Sequence, residues 1–278
     1  MKVPFSNNKK RILNWRQIIP SAITIMAMLV AFISILITFQ GMQGRHDLFR
    51  TSALLIMLAM ILDGLDGNVA RWLKGYSEFG SELDTYVDMT AFGIAPAVLI
   101  FAVTMKEDID PIWRAILPSA VALSGMVRLA RFKAKDPFRG QAGYVGLPIT
   151  ANAAWVSLFV FISQTPSQTP PTDRFSLREG WFATVFLCGV TMFIVLQITN
   201  FRYPKPTKKL SLFTLCVALV LLLILSGFLK LKTLGLIVSL TMIVLGLGYV
   251  IFGPLFVKSV SVRKSRREAM INEQNSKN

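Results

Sequence analysis

The sequence has one histidine and two cysteines among its 278 residues. That scarcity leaves no set of imidazoles and thiolates from which a zinc site is ordinarily built. Cys188 and Cys216 each lie inside an apolar run, which argues against a disulfide framework. Charge is scarce as well. Charged residues make up 16% of the chain, against roughly 25% in ordinary globular domains. With 53% hydrophobic residues and a mean hydropathy of +0.55, the composition excludes a disordered chain and argues against a soluble enzyme. Negative charge is scarcest of all, with 15 acids set against 30 lysines and arginines. A basic surplus in a polar chain points to nucleic acid. Beside long apolar runs it points to an anionic lipid surface, so inner-leaflet lipids are expected as partners and nucleic acid is not. No internal repeat is visible.

What is present is a series of apolar runs. About 20 apolar residues cross a bilayer core as a helix. Eight runs qualify or nearly do: Ile18–Phe39, Phe49–Leu62 extended toward Trp72, Val87–Met105, Ile112–Arg131, Pro148–Ser163, Trp181–Thr199, Leu210–Leu229 and Thr233–Val257. The second and third contain acids, the fourth ends in two arginines and the fifth is short. Such exceptions are tolerated where they face the interior of a helical bundle. The first run follows Lys2, Lys9, Lys10, Arg11 and Arg16, as in a signal peptide, but it is too long for one and is read as a retained span. The expected fold is all-α, a polytopic membrane bundle of about eight helices.

Basic residues set the orientation of such a bundle. The N-terminus, the loops near Arg71, Lys133 and Arg202, and the C-terminus collect most of them, while alternate loops hold only pairs such as Arg45 with Arg50 or Arg174 with Arg178. Both termini are therefore expected on the cytoplasmic side of the inner membrane. Gln164–Gly180 reads as an exposed loop on the far side. Residues 258–278 read as a basic, then polar, tail. Gly235, Gly246, Gly248 and Gly253 suggest close helix contact in the last span, with a homodimer through the extra spans as one option beside intrachain packing.

One group of acids stands apart. Asp63 and Asp66 are spaced i,i+3 near the end of the second run, and Asp84 and Asp88 are spaced i,i+4 at the start of the third. Each pair shares a helix face. The intervening loop is short, so the two helices are antiparallel neighbours and the pairs converge. Four carboxylates that close repel one another unless cations intervene. Hard oxygen ligands suit two ions of Mg²⁺ or Mn²⁺, which together polarise a diphosphate. Arg71 supplies a forked donor for a phosphate oxygen. Gly67, Ala70 and Gly80 let a bulky ligand approach the helix backbones. Any one of these aspartates alone reads equally well as a solvated interfacial acid. Glu78 and Glu82 fall outside the spacing and read as solvated loop acids.

The stretch from Asp63 to Asp88 resembles the signature of the CDP-alcohol phosphatidyltransferases, D-x2-D-G-x2-A-R-x8-G-x3-D-x3-D, at every fixed position. Chance assembly of eight such positions is on the order of 10⁻¹⁰ per starting residue at average frequencies. The resemblance implies that an alcohol displaces CMP from a CDP-linked lipid. It implies that Asp63, Asp66 and Asp84 are metal ligands, and that Asp88 is both ligand and general base. It implies that Asp66, Gly67, Ala70, Arg71 and Gly80 frame the CDP moiety. The flanks, including Ser77–Asp84, Ala91–Ala97, Arg128–Phe132, Gly146–Pro148 and Phe201–Pro204, are similar to the serine-accepting bacterial members of that family, with CDP-diacylglycerol as donor. Thr85-Tyr86-Val87, Thr90 and Ser21 depart from that pattern. The resemblance covers roughly Arg16 to Pro204. Residues 1–205 are thus expected to form a six-span core and residues 206–257 two additional helices.

L-Serine carries a carboxylate and needs a cation. Arg128 and Arg131, i,i+3 at the end of the fourth run, are the candidates for binding the acceptor, with Lys133, Arg139 and Arg202 behind them. The positive-inside rule alone also places arginines there. Two rival functions remain: a sister transferase using glycerol phosphate, inositol phosphate or choline, and a cation transporter. Against the transporter, the acids gather toward one membrane edge and not at the midplane.

Overall fold

The computed structural model describes residues 14–104, 110–135, 144–164, 175–204 and 237–255. It is a bundle of helices: α1 (Trp15–Met42), α2 (Leu48–Leu73), α3 (Glu78–Asp88), a π-helical stretch (Met89–Ile94), α4 (Ala95–Val103), α5 (Pro111–Lys135), α6 (Ile149–Ser163), α7 (Gly180–Ile198) and α8 (Ile237–Leu255). From α3 to α4 the chain runs without a break, so Glu78–Val103 is one crossing. Six helices are long and apolar enough to span a membrane, and α6 is a shorter apolar helix. The chain is a multi-pass membrane protein. The expected span Leu210–Leu229 and the tail 258–278 lie outside the described residues, as do Arg139 and Gly235.

The burial pattern of α1 explains how the bundle is held. Its buried residues are Pro20, Ser21, Thr24, Ala27, Ala31, Ser34, Thr38 and Gly41, a stripe of small side chains at helical spacing. Its large residues, among them Ile25, Leu29, Phe32 and Leu36, point outward. Lipid is as apolar as leucine, so helices in a membrane associate through close packing of small residues and interhelical hydrogen bonds. Both are present against α2. The Ser34 and Ser52 hydroxyls are 2.7 Å apart, and those of Thr38 and Ser52 are 2.6 Å apart, all fully buried.

The end of α1 that begins at Trp15 is fixed to the turn between α2 and α3. Pro20 has no N–H to give the carbonyl of Arg16. Gly75 packs on that carbonyl, where a Cβ would come within 1.8 Å of the oxygen. Gln17 donates to the Tyr76 carbonyl at 3.2 Å. The turn itself is tight. α2 ends at Lys74, whose φ of 52° lies in the left-handed region, and the Gly75 N–H reaches back to the Ala70 carbonyl at 2.9 Å. Ser77 then caps α3, its Oγ accepting from the Gly80 N–H at 2.9 Å.

That cap places the start of the third crossing at Glu78, nine residues before the apolar run at Val87. Glu78 and Glu82 are therefore helical and not loop acids. Hydropathy misses this entry because α3 is polar, with Glu78 and Glu82 exposed and Asp84 and Asp88 partly buried.

α6 is short for a visible reason. The segment before it dips into the bundle. Leu147 is fully buried, its N–H bonded to the Leu196 carbonyl at 3.1 Å, and the Gly146 N–H bonds the Phe201 carbonyl at 2.8 Å. Gly146 has φ +76°, and a Cβ there would meet the Gln197 carbonyl at 2.5 Å. Two-residue strands β1 (Tyr144–Val145) and β2 (Arg202–Tyr203) pair antiparallel and fasten this re-entrant segment, the only sheet among the described residues. In α8, Gly246 and Gly248 meet nothing within 4 Å among the described residues. Gly253 alone packs closely, on Tyr203 and Pro204.

Candidate active site

The turn at residues 74–77 makes α2 and α3 antiparallel neighbours, and their acids meet. One carboxylate oxygen from each of Asp63, Asp66 and Asp84 lies within 4.8 Å of the others. Asp88 joins them, its carboxyl within hydrogen-bonding reach of Asp63. Asp66 is buried at 5% exposure, and the other three are half-buried, open on one side to a ligand. The four do not sit at the helix rims. Asp84 is six residues and Asp88 ten residues past the start of α3, about 9 and 15 Å along the helix at 1.5 Å per residue.

The donor set fits divalent cations. It offers only carboxylate oxygens, at separations that one or two ions can bridge. A π-helical stretch begins directly after Asp88 and lies close to α5 and α6. A Cβ on Gly93 would touch Met89, and one on Gly125 would meet Ile149 at 2.5 Å and the Gly93 Cα at 3.8 Å. Such stretches recur at functional sites.

Cations surround the acids unequally. Arg128, buried in α5, lies near enough for its charge to act on Asp88, and its guanidinium also rests 5.7 Å from the Phe132 ring. Arg131, one turn on, is turned elsewhere. It donates to the Ile198 carbonyl and to Asn200, closing the end of α7. Lys133 forms an ion pair with Glu82, and its charge also acts on Asp84. Arg71 stands at the exposed end of α2, its Nη2 donating to the Asn68 Oδ1 at 2.8 Å. Gly67 has nothing within 4 Å of a would-be Cβ, so space lies beside it. Ala70 is half-buried on the same helix. Gly80 has a packing reason of its own: a Cβ would lie 3.0 Å from the Ser77 Oγ and 3.5 Å from the Ser21 Oγ.

One participant escapes a reading of the motif. Thr24 on α1, at 4% exposure, donates to Asp66 across 42 residues of sequence. In the sequence Thr24 is one of four hydroxyl residues in the first run, with Ser21, Ser34 and Thr38, and membrane helices commonly spend such hydroxyls on a backbone carbonyl.

A membrane bundle in which aspartates converge from two adjoining crossings defines a class of membrane protein with a candidate site for divalent cations. The CDP-alcohol phosphatidyltransferase family model matches residues 17–170, and the chain belongs to that family. A CDP-diacylglycerol–serine O-phosphatidyltransferase of Helicobacter pylori (strain ATCC 700392 / 26695) is 32% identical over 164 residues, 58% of this chain and 65% of the relative. Another so named, from Mycobacterium leprae, is 32% identical over 204 residues, 70% of this chain and 59% of the relative. One from Methanocaldococcus jannaschii is 31% identical over 167 residues, 60% of this chain and 70% of the relative. The chain thus spans somewhat less than two thirds of the first two relatives.

Proposed function

We propose that this protein transfers a phosphatidyl group from CDP-diacylglycerol to the hydroxyl of L-serine, yielding phosphatidylserine and CMP in a site that opens to the cytoplasmic face of the inner membrane. The observation that carries this reading is the meeting of Asp63, Asp66 and Asp84 with Asp88 beside them. The names of its relatives support the choice of donor and acceptor.

Asp63, Asp66, Asp84 and Asp88 would hold two divalent ions, Mg²⁺ or Mn²⁺. Such ions, when bound, offset the charge of a diphosphate and of the phosphate that leaves. The remaining work falls to the protein. Arg71, at the mouth of the site, binds a phosphate oxygen of the CDP moiety, whose approach the space beside Gly67 allows. The serine oxygen attacks the phosphorus that bears diacylglycerol. A new P–O bond forms to serine, the P–O bond to CMP breaks, and CMP departs with that electron pair. Asp88 accepts the hydroxyl proton, which requires hydrogen-bond reach of the alcohol. Arg128, beside Asp88, is placed to receive the serine carboxylate. Arg131 is committed to the end of α7 and holds the frame.

The test is CMP release from CDP-diacylglycerol by purified protein in detergent, with Mg²⁺ or Mn²⁺ and a panel of serine, glycerol 3-phosphate, inositol phosphate and choline. Release that depends on serine supports the reading. Release with another alcohol reassigns the acceptor, and no metal-dependent release with any of them overturns it.

A further inference from the structure

We propose that Thr24 is a positioning residue that fixes the Asp66 carboxylate for metal binding, making α1 part of the site. The inference rests on the reading of Asp66 as a metal ligand.

Asp66 differs from its three companions. It is the one that is buried, and protein groups already engage it. Thr24 Oγ1 donates to its Oδ2, and the backbone N–H of Gly67 also bonds the carboxylate. Thr24 itself has two acceptors in reach, Asp66 and the Pro20 carbonyl at 3.0 Å. A hydroxyl carries one proton and cannot donate to both at once. A charged carboxylate is a stronger acceptor than a backbone carbonyl, so the Thr24 hydroxyl donates to Asp66 and not to Pro20. One Asp66 oxygen lies within 4.8 Å of carboxylate oxygens of Asp63 and Asp84, so the carboxylate that Thr24 holds is the one that meets the cluster.

The placement of Thr24 is itself fixed. Threonine has a branched Cβ, which restricts its χ1 in a helix. Its helix cannot slide, because Gly75 abuts the Arg16 carbonyl and Ser21 approaches Gly80. Thr24 lies one turn from Pro20, close to this anchor. The knot between α1 and the turn at residues 74–77 therefore sets the Thr24 hydroxyl at a constant distance from Asp66. Partners that orient a metal ligand typically carry about 10–100-fold in metal affinity.

The test measures Mn²⁺ binding to purified, substrate-free protein by electron paramagnetic resonance, with thermal unfolding in chelator as the check on folding. Thr24→Val keeps the shape and loses the hydroxyl, and Thr24→Ser keeps the hydroxyl and loses the methyl. The expected result is Mn²⁺ affinity about 10-fold or more weaker in Thr24→Val and near that of the parent in Thr24→Ser. Metal titration of CMP release shifts in parallel, with the maximal rate regained at high Mn²⁺. If Thr24→Val does not fold, Thr24→Ala replaces it against the same serine variant. Equal affinity in the valine and parent proteins overturns the inference, as does a serine variant as weak as the valine one. Parent protein that binds no Mn²⁺ overturns the metal reading on which the inference stands, an outcome distinct from the other two.

Discussion

The two halves of the bundle interior are built on opposite principles. Toward the end where α2 meets α3, the interior holds four carboxylates, the Thr24 hydroxyl and the Arg128 guanidinium. Around α6 and α7 it holds rings. Trp155 and Phe159 are 4.4 Å apart by ring centroid, Phe159 and Phe182 4.8 Å, and Trp155 and Phe193 5.2 Å. Gly189 sits against Trp155 so closely that a Cβ would fall 2.3 Å from the indole. The aromatic half coheres by ring packing. The acidic half sacrifices cohesion for chemistry, since like charges gathered in a protein interior oppose folding until a cation joins them. The contrast teaches that close ring packing in one half accompanies gathered charge in the other.

Substitutions can separate the two. The largest effect is expected at Asp88. Asp88→Asn removes the proton acceptor and one metal ligand, and turnover should fall by at least about 10²–10⁴-fold while the protein remains folded, read from a cooperative thermal unfolding transition. A variant that turns over normally removes Asp88 from the mechanism. Next comes Phe159→Ala, which empties the centre of the ring cluster. About 3–5 kcal/mol of stability should be lost, read from unfolding, with the Mn²⁺ half-saturation of the folded fraction unmoved. A shift in that half-saturation would show that the halves are not separable.

A finer comparison lies within α5. Arg128→Ala should raise the KM for the acceptor by about tenfold or more, as expected for loss of a hydrogen bond to a charged group. Arg131→Ala should leave that KM alone and lower the unfolding temperature, because it releases the Ile198 carbonyl and Asn200. Steady-state kinetics with serine varied distinguishes them, and the opposite pattern would exchange their roles.

The smallest effect is expected at Tyr203. Its hydroxyl is buried with no hydrogen-bond partner among the described residues, and burial pushes its pKa up. Tyr203→Phe should change stability at neutral pH by less than about 0.5 kcal/mol. The sign at alkaline pH follows from linkage. Folding favours the neutral phenol, so this contribution is intact below the unfolded pKa of about 10 and is lost as pH rises further. The phenylalanine variant should therefore lose less stability than the parent above about pH 10, in unfolding curves taken across that range.

The aspartates were legible in the sequence because spacing on a helix is a local property. The i,i+3 and i,i+4 pairs and a short turn suffice to bring Asp63, Asp66, Asp84 and Asp88 together. Long apolar runs likewise announced α1, α2, α4, α5, α7 and α8. What stayed hidden was set by contacts distant in sequence. Nothing local distinguishes Arg128 from Arg131, and the difference arises because the end of α7 offers acceptors to only one of them. Thr24 becomes relevant only when α1 is laid against Asp66. The entry of α3 at Glu78 was hidden because its polar turns carry no hydropathy signal. The dip of the chain at Gly146–Leu147, which shortens α6, depends on carbonyls some 50 residues on.

The central claim is that aspartates from two adjoining crossings gather divalent ions for a nucleotide-activated lipid. Anomalous X-ray scattering from crystals grown with Mn²⁺ tests it most directly. The account predicts two peaks among the carboxylates of Asp63, Asp66, Asp84 and Asp88. Aspartates that keep their places with no peak between them, or Mn²⁺ bound elsewhere in the bundle, would contradict it.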